Sequence, residues 1–107
     1  MTNIEQTNKN YPIVTLCGST KFKDEFFEVQ KKLTLDGYIV ISVGLFGHSG
    51  DDLAGKKEML DDMHKRKIDL ADEIFVINKG GYVGSSTKSE IEYAMKHNKK
   101  IRYLEEV

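Results

Sequence analysis

One cysteine, Cys17, is all the thiol chemistry in this chain, so no internal disulfide is available to it. Long apolar runs are missing as well. Nothing approaches the roughly 20 apolar residues that cross a bilayer, and no signal-peptide pattern opens the sequence. There is no basic excess either: Lys+Arg 16 stands against Asp+Glu 17, a formal net charge of -1, which lacks the electrostatic footprint of a nucleic-acid binder. Internal repeats and low-complexity segments are absent too. These absences lead to the expectation of a cytosolic (cytoplasmic) globular protein with no nucleic-acid and no membrane partner. At 107 residues it is one domain with one core, too small for a separate substrate domain, so any site is shallow or shared between subunits.

What is present is alternation. Residues 1–10 are polar and aperiodic, a flexible N-terminal segment, and 11–107 form a single α/β domain. Strand patterns at Ile13–Cys17, Tyr38–Val43, Glu73–Asn78 and Lys100–Leu104 alternate with helical ones at Phe22–Leu35, Lys56–Leu70 and Thr87–His97. The inward stripe of the first helix is Phe22, Phe26, Val29, Gln30 and Leu33. Such a βαβαβαβ order requires right-handed crossovers and a parallel sheet covered on both faces. The expectation is a three-layer α/β sandwich, Rossmann-like or flavodoxin-like, with a four-stranded parallel sheet in the order 2-1-3-4.

The stretch Gly80-Gly81-Tyr82-Val83-Gly84-Ser85-Ser86-Thr87-Lys88-Ser89-Glu90 joins a glycine-rich turn to a helix start. Thr87, Glu90, Ile91, Ala94 and Met95 share one helical face, so an acid points at the sheet where open α/β sheets bind ligands. Thr87 and Glu90 have capping-box spacing, which is the plain alternative. The functional reading is a nucleophile whose ionised form is favoured by the helix N-terminus.

Two further loops reach the same sheet edge. Gly18-Ser19-Thr20, after the first strand, offers hydroxyls and backbone N–H groups to a phosphate or sugar oxygen, or is an ordinary turn. The loop from Gly44 to Gly55 carries Leu45 and Phe46 as exposed apolar residues able to cover a ligand, or is an empty connection. Tyr82 is placed to stack on a planar base. The inward stripe of the second helix, Leu60, Met63, His64, Lys67, Ile68 and Ala71, is interrupted by His64 and Lys67, which need partners or snorkel. No metal is expected, since no second histidine lies within a helical turn of His64 and His48 and His97 fall elsewhere. Cys17 ends a strand pattern as a small core residue.

Ser86-Thr87-Lys88-Ser89-Glu90-Ile91-Glu92-Tyr93-Ala94 resembles the nucleophile helix of nucleoside 2-deoxyribosyltransferases, whose pattern is Ser/Gly-Thr-x-x-Glu-Ile-Gly-Tyr-Ala. Leu16-Cys17-Gly18-Ser19-Thr20-Lys21 resembles the first loop of the related 2'-deoxynucleoside 5'-phosphate N-hydrolases. Asp69-Leu70-Ala71-Asp72-Glu73-Ile74 resembles the helix-to-strand passage both groups share, and the likeness spans residues 13–104. It implies a Rossmann-like fold and cleavage of an N-glycosidic bond without a cofactor. Glu90 matches the nucleophile, and His64, in place of the family's sugar-binding aspartate, becomes the candidate acid for the leaving base. Cys17, Gly18, Ser19 and Thr20, with Gly44, Phe46, Gly81, Tyr82, Gly84, Ser85 and Ser86, make up the substrate-binding set. Thr15 stands where the hydrolases have a tyrosine. The fifth strand and C-terminal residues that complete a neighbouring site in the transferases have no counterpart here, which weighs against transfer proper.

The expected function is therefore N-glycosidic cleavage of a small-molecule nucleoside or nucleoside 5'-monophosphate. A non-catalytic module for a nucleotide or ADP-ribose-like ligand is the alternative, and a plain interaction domain with Glu90 as a cap is the third. Size and resemblance together lead to the expectation of a homodimer or larger even-numbered assembly.

Overall fold

A computed structural model describes residues 10–46 and 55–107. The flexible segment expected over residues 1–10 lies, apart from Asn10, outside the described residues, as does His48. Among the described residues four strands, β1 (Ile13–Gly18), β2 (Ile39–Ile41), β3 (Glu73–Ile77) and β4 (Lys100–Tyr103), alternate with α1 (Lys23–Leu35), α2 (Lys57–Leu70) and α3 (Ser85–Lys96). The sheet is wholly parallel in the order β2-β1-β3-β4, as the alternation demands. No helix among the described residues is long and apolar enough to cross a membrane.

The period of two along the strands sorts the core into two layers. Val14 and Leu16 of β1 and Ile77 of β3 face Phe26, Val29 and Leu33 of α1. Their neighbours Cys17, Ile74 and Val76 turn to the opposite side, against Ile68 of α2 and Ala94 of α3. β1 and β3 are the central pair, in register from Val14↔Glu73 to Gly18↔Ile77, which is why they are buried from both sides. At the last of these pairs a Cβ on Gly18 would lie 2.8 Å from the Ile77 carbonyl, and φ is +150°, so only glycine lets the chain leave β1 there.

Side chains fasten the ends of the layers. Thr15 Oγ1 donates to the Lys67 carbonyl at 2.9 Å, joining β1 to α2, and Asp72 accepts the Ile13 N–H at 2.8 Å. Past β4, the fully buried Asn78 amide pairs both ways with the Glu105 backbone, at 3.0 and 2.8 Å. The Glu105 carboxylate in turn accepts the Gly80 N–H at 3.0 Å.

Several expectations are corrected. Gln30 is exposed, because the α1 stripe is narrower than its flanks, and Met63 and Met95 are exposed at 43% and 62%. α3 begins at Ser85 with Gly84 as its N-cap and no side-chain cap, so Thr87 sits within the first turn and the capping box does not form. Phe46, expected on the surface, is buried in the α1 layer edge-on to Phe26 at 5.5 Å. An aromatic ring two residues beyond the loop's first glycine reaches back to that apolar layer, where burial is worth more than exposure.

Candidate active site

The crossovers from β1 to β2 and from β3 to β4 leave in opposite directions, so the loops after β1 and β3 part at one edge of the sheet, the usual ligand crevice of doubly wound folds. A cleft of about 570 Å³ opens there, within the range of small-molecule sites. The loop Gly18-Ser19-Thr20 forms one wall, and Tyr82, Gly84, Ser85 and Ser86 form another. α2 supplies the remainder through Lys57, Leu60, Asp61, Met63, His64 and Lys67. Glu90 and Thr87 of α3 and, from the segment after β2, Val43 and Leu45 complete the lining.

Glu90 lies in the second turn of α3 on the face that carries Thr87 and Ala94 inward, which leaves its side chain only 12% exposed. Two burials converge on it. His64, one helix over, brings Nε2 to 3.9 Å from Oε1, and Cys17, at the end of β1, brings its thiol to 3.5 Å from the same nitrogen. Cys17 is wholly buried and does not line the cleft, so it supports the other two and, against expectation, is not placed to touch a substrate lying in the cleft.

The electrostatics follow from burial. Desolvation, helped by the negative charge of Asp61, pushes the Glu90 carboxyl up to about 7, against the pull of the Cys17 thiol that hydrogen-bonds to it. The expected help from the helix N-terminus is outweighed, since the dipole fades beyond the first turn. Desolvation and the nearby Lys67 charge take His64 down to about 4, although its bond to the Leu16 carbonyl acts the other way. Burial and Glu90 raise the Cys17 thiol well above its ordinary value, so at neutral pH it is a protonated donor and no nucleophile. A histidine neutral at pH 7 is a poor acid, and His64 does not fit the role of proton donor to a leaving base.

Other expected residues are placed differently. Ser19 Oγ accepts the Lys21 N–H at 3.3 Å and caps the short turn Thr20–Phe22, so its hydroxyl is partly engaged. Tyr82 is 47% exposed, but Lys21 Nζ already sits 3.7 Å over its ring, and a stacking base would displace that ammonium. Gly44, Phe46 and Gly81 do not line the cleft.

Of the polar contributors, Lys67 was singled out in the sequence as needing a partner, while Lys57 and Asp61 were missed. Lys67 neither snorkels nor meets Glu90: its ammonium donates to the Ser42 carbonyl at 2.8 Å and ties α2 to the loop after β2. Lys57 and Asp61, which look like a solvated i,i+4 pair at 2.7 Å, stand at the cleft mouth, where Lys57 also donates to Ser86 Oγ at 3.3 Å. Their position depends on the packing of α2 against α3, and no local pattern encodes it. No protein-family model and no curated protein matches the sequence.

Proposed function

We propose that this chain cleaves the N-glycosidic bond of a nucleoside or nucleoside 5'-monophosphate through Glu90. The observation that carries the reading is the buried carboxyl group of Glu90, which lines a nucleoside-sized cleft at the sheet's switch point. The resemblance of residues 86–94 to a nucleophile helix supports the same assignment. A Glu90 oxygen attacks the anomeric carbon, the carbon–nitrogen bond breaks, and its electron pair leaves with the base, which takes up a proton. Water then attacks the anomeric carbon and releases Glu90, so the mechanism parallels retaining glycoside hydrolysis. The attacking form is the carboxylate, whose charge also stabilises the oxocarbenium-like transition state. Lys57 and Ser86 at the mouth favour a 5'-phosphate, the hydroxyl by donation and the ammonium by charge once it exchanges the Asp61 carboxylate, its partner at 2.7 Å, for the phosphate.

The homodimer belongs to this proposal. Leu45 and Tyr82, 42% and 47% exposed at the cleft rim, are better covered by a second subunit than by water. A neutral His64 leaves Glu90 without a strong acid beside it, and this favours, as second reading, a nucleotide-binding module without turnover. Incubation with a panel of nucleosides and 5'-monophosphates, followed by assay of free base, separates the two. Base release lost in Glu90→Gln supports cleavage, whereas ligand-dependent stabilisation without base release selects the binding module.

A further inference from the structure

Cys17, His64 and Glu90 come from three different elements, and each offers one ligand atom. The three atoms lie within 4.8 Å of one another, with Cys17 Sγ to His64 Nε2 at 3.5 Å and His64 Nε2 to Glu90 Oε1 at 3.9 Å. Bonds of about 2.0–2.3 Å around a tetrahedral ion set neighbouring ligand atoms roughly 3.3–3.6 Å apart. The sulfur–nitrogen edge already has that length, and the edges to the carboxylate, 3.9 Å from the nitrogen and within 4.8 Å of the sulfur, shorten as Glu90 moves onto the ion. Thiolate, imidazole and carboxylate together are a borderline-soft set that suits zinc better than calcium or magnesium.

We propose that Cys17 Sγ, His64 Nε2 and the Glu90 carboxylate bind one divalent cation of the zinc class, with the fourth coordination position facing the cleft. Binding displaces the thiol proton, and the Glu90 proton where it is present, to solvent. A thiolate and a carboxylate then balance the two positive charges, so the occupied centre is neutral and tolerates its burial. The bond from the imidazole to the Leu16 carbonyl orients the ring as second-shell carbonyls orient metal-bound histidines. The sequence expectation of no metal rested on histidine spacing, which is blind to a thiol 47 positions before His64. The site does not depend on the glycosidase reading, but it opposes it: an ion that draws on the Glu90 carboxylate takes up its negative charge and fixes its orientation, which weakens it as a nucleophile toward an anomeric carbon, so the ion is an inhibitor of cleavage.

The test is titration of reduced, metal-free protein with Co²⁺, followed by displacement with Zn²⁺. One equivalent of Co²⁺ should give the intense visible bands of a tetrahedral site and a near-ultraviolet thiolate charge-transfer band, both removed by Zn²⁺. Cys17→Ser should lose the charge-transfer band, and Cys17→Ser and His64→Gln should each weaken binding by at least about 10-fold, the lower end for loss of a metal-site partner. Circular dichroism establishes that each variant is folded. Absence of the bands in folded wild-type protein overturns the proposal, as does their persistence at unchanged affinity in either folded variant. Because the readout is spectral, its failure leaves the cleavage reading untouched.

Discussion

The imidazole of His64 and the carboxyl of Glu90 stand 3.9 Å apart with inverted proton affinities, about 4 for the base and about 7 for the acid. Between roughly pH 4.5 and 6.5 the folded pair therefore holds one proton, on Glu90, while the unfolded pair holds one on His64. Proton uptake on folding nearly vanishes across that window, because the two shifts oppose each other. His64 alone would lose stability as pH falls through 6.5 toward 4, since its folded form resists protonation. Glu90 alone would lose stability as pH rises from 4.5 toward 7, since its folded form resists ionisation.

Each single variant should uncover the other residue's slope. Glu90→Gln should lose about 2 kcal/mol between pH 6.5 and 4.5, and His64→Gln should lose a similar amount in the opposite direction, while the wild type stays nearly level in this pair's contribution. Urea denaturation at the two pH values measures this. Parallel curves for wild type and both variants would contradict the inverted pair.

If Glu90 is the nucleophile, base release should rise with pH through a midpoint near its value of about 7. Asp61→Asn removes a negative charge that holds this value up, and should displace the midpoint toward lower pH. The profile of kcat/KM against pH is the measurement, and a flat profile between roughly pH 5 and 8 would exclude the carboxylate as the attacking group.

Gly18→Ala should destabilise the fold by about 3 kcal/mol or more, since the methyl meets the Ile77 carbonyl at 2.8 Å in a backbone conformation side chains rarely adopt. Chemical denaturation checks it. A variant as stable as wild type would mean that β1 and β3 separate freely at this end.

Phe46→Ala should cost about 3 kcal/mol or more in stability yet leave ligand affinity unchanged, because the ring packs on Phe26 and Phe27 and does not line the cleft. Denaturation and calorimetric titration with a nucleoside 5'-monophosphate distinguish this from a cover over the ligand. A large affinity loss with intact stability would restore the cover.

Self-association is expected from the exposed rim residues Leu45 and Tyr82. Light scattering across a dilution series should report a dimer. A monomer at micromolar concentration, with or without nucleotide, would remove the shared-site part of the proposal.

The layers were legible in the sequence because strand and helix periods are local: Val14 and Leu16 alternate with Thr15 and Cys17, and the β2-β1-β3-β4 order follows from connection handedness. Glu90 was legible for the same reason, as an acid on an otherwise inward face. The start of α3 was not, since Gly84 caps it without a side-chain signature. Nor was the company Glu90 keeps. Cys17 meets it from β1 and His64 from α2, contacts that exist only once three elements have packed, and the desolvation that sets its proton affinity is a property of that packing. Phe46 shows the converse: in a glycine-rich segment its neighbours suggested exposure, and a distant apolar layer decided otherwise.

The pairing of Asn78 with Glu105 makes the chain's last stretch a buttress for the cleft. Glu105 is bound through its backbone to the end of β3 and through its carboxylate to Gly80, in the turn that leads to Tyr82. Cutting the chain after Leu104 would strip a fully buried amide of both its partners and let go of the wall that carries Tyr82. The shape of the cleft wall is thus set partly by residues that do not line it, and a fusion joined directly to Leu104 would be felt there first.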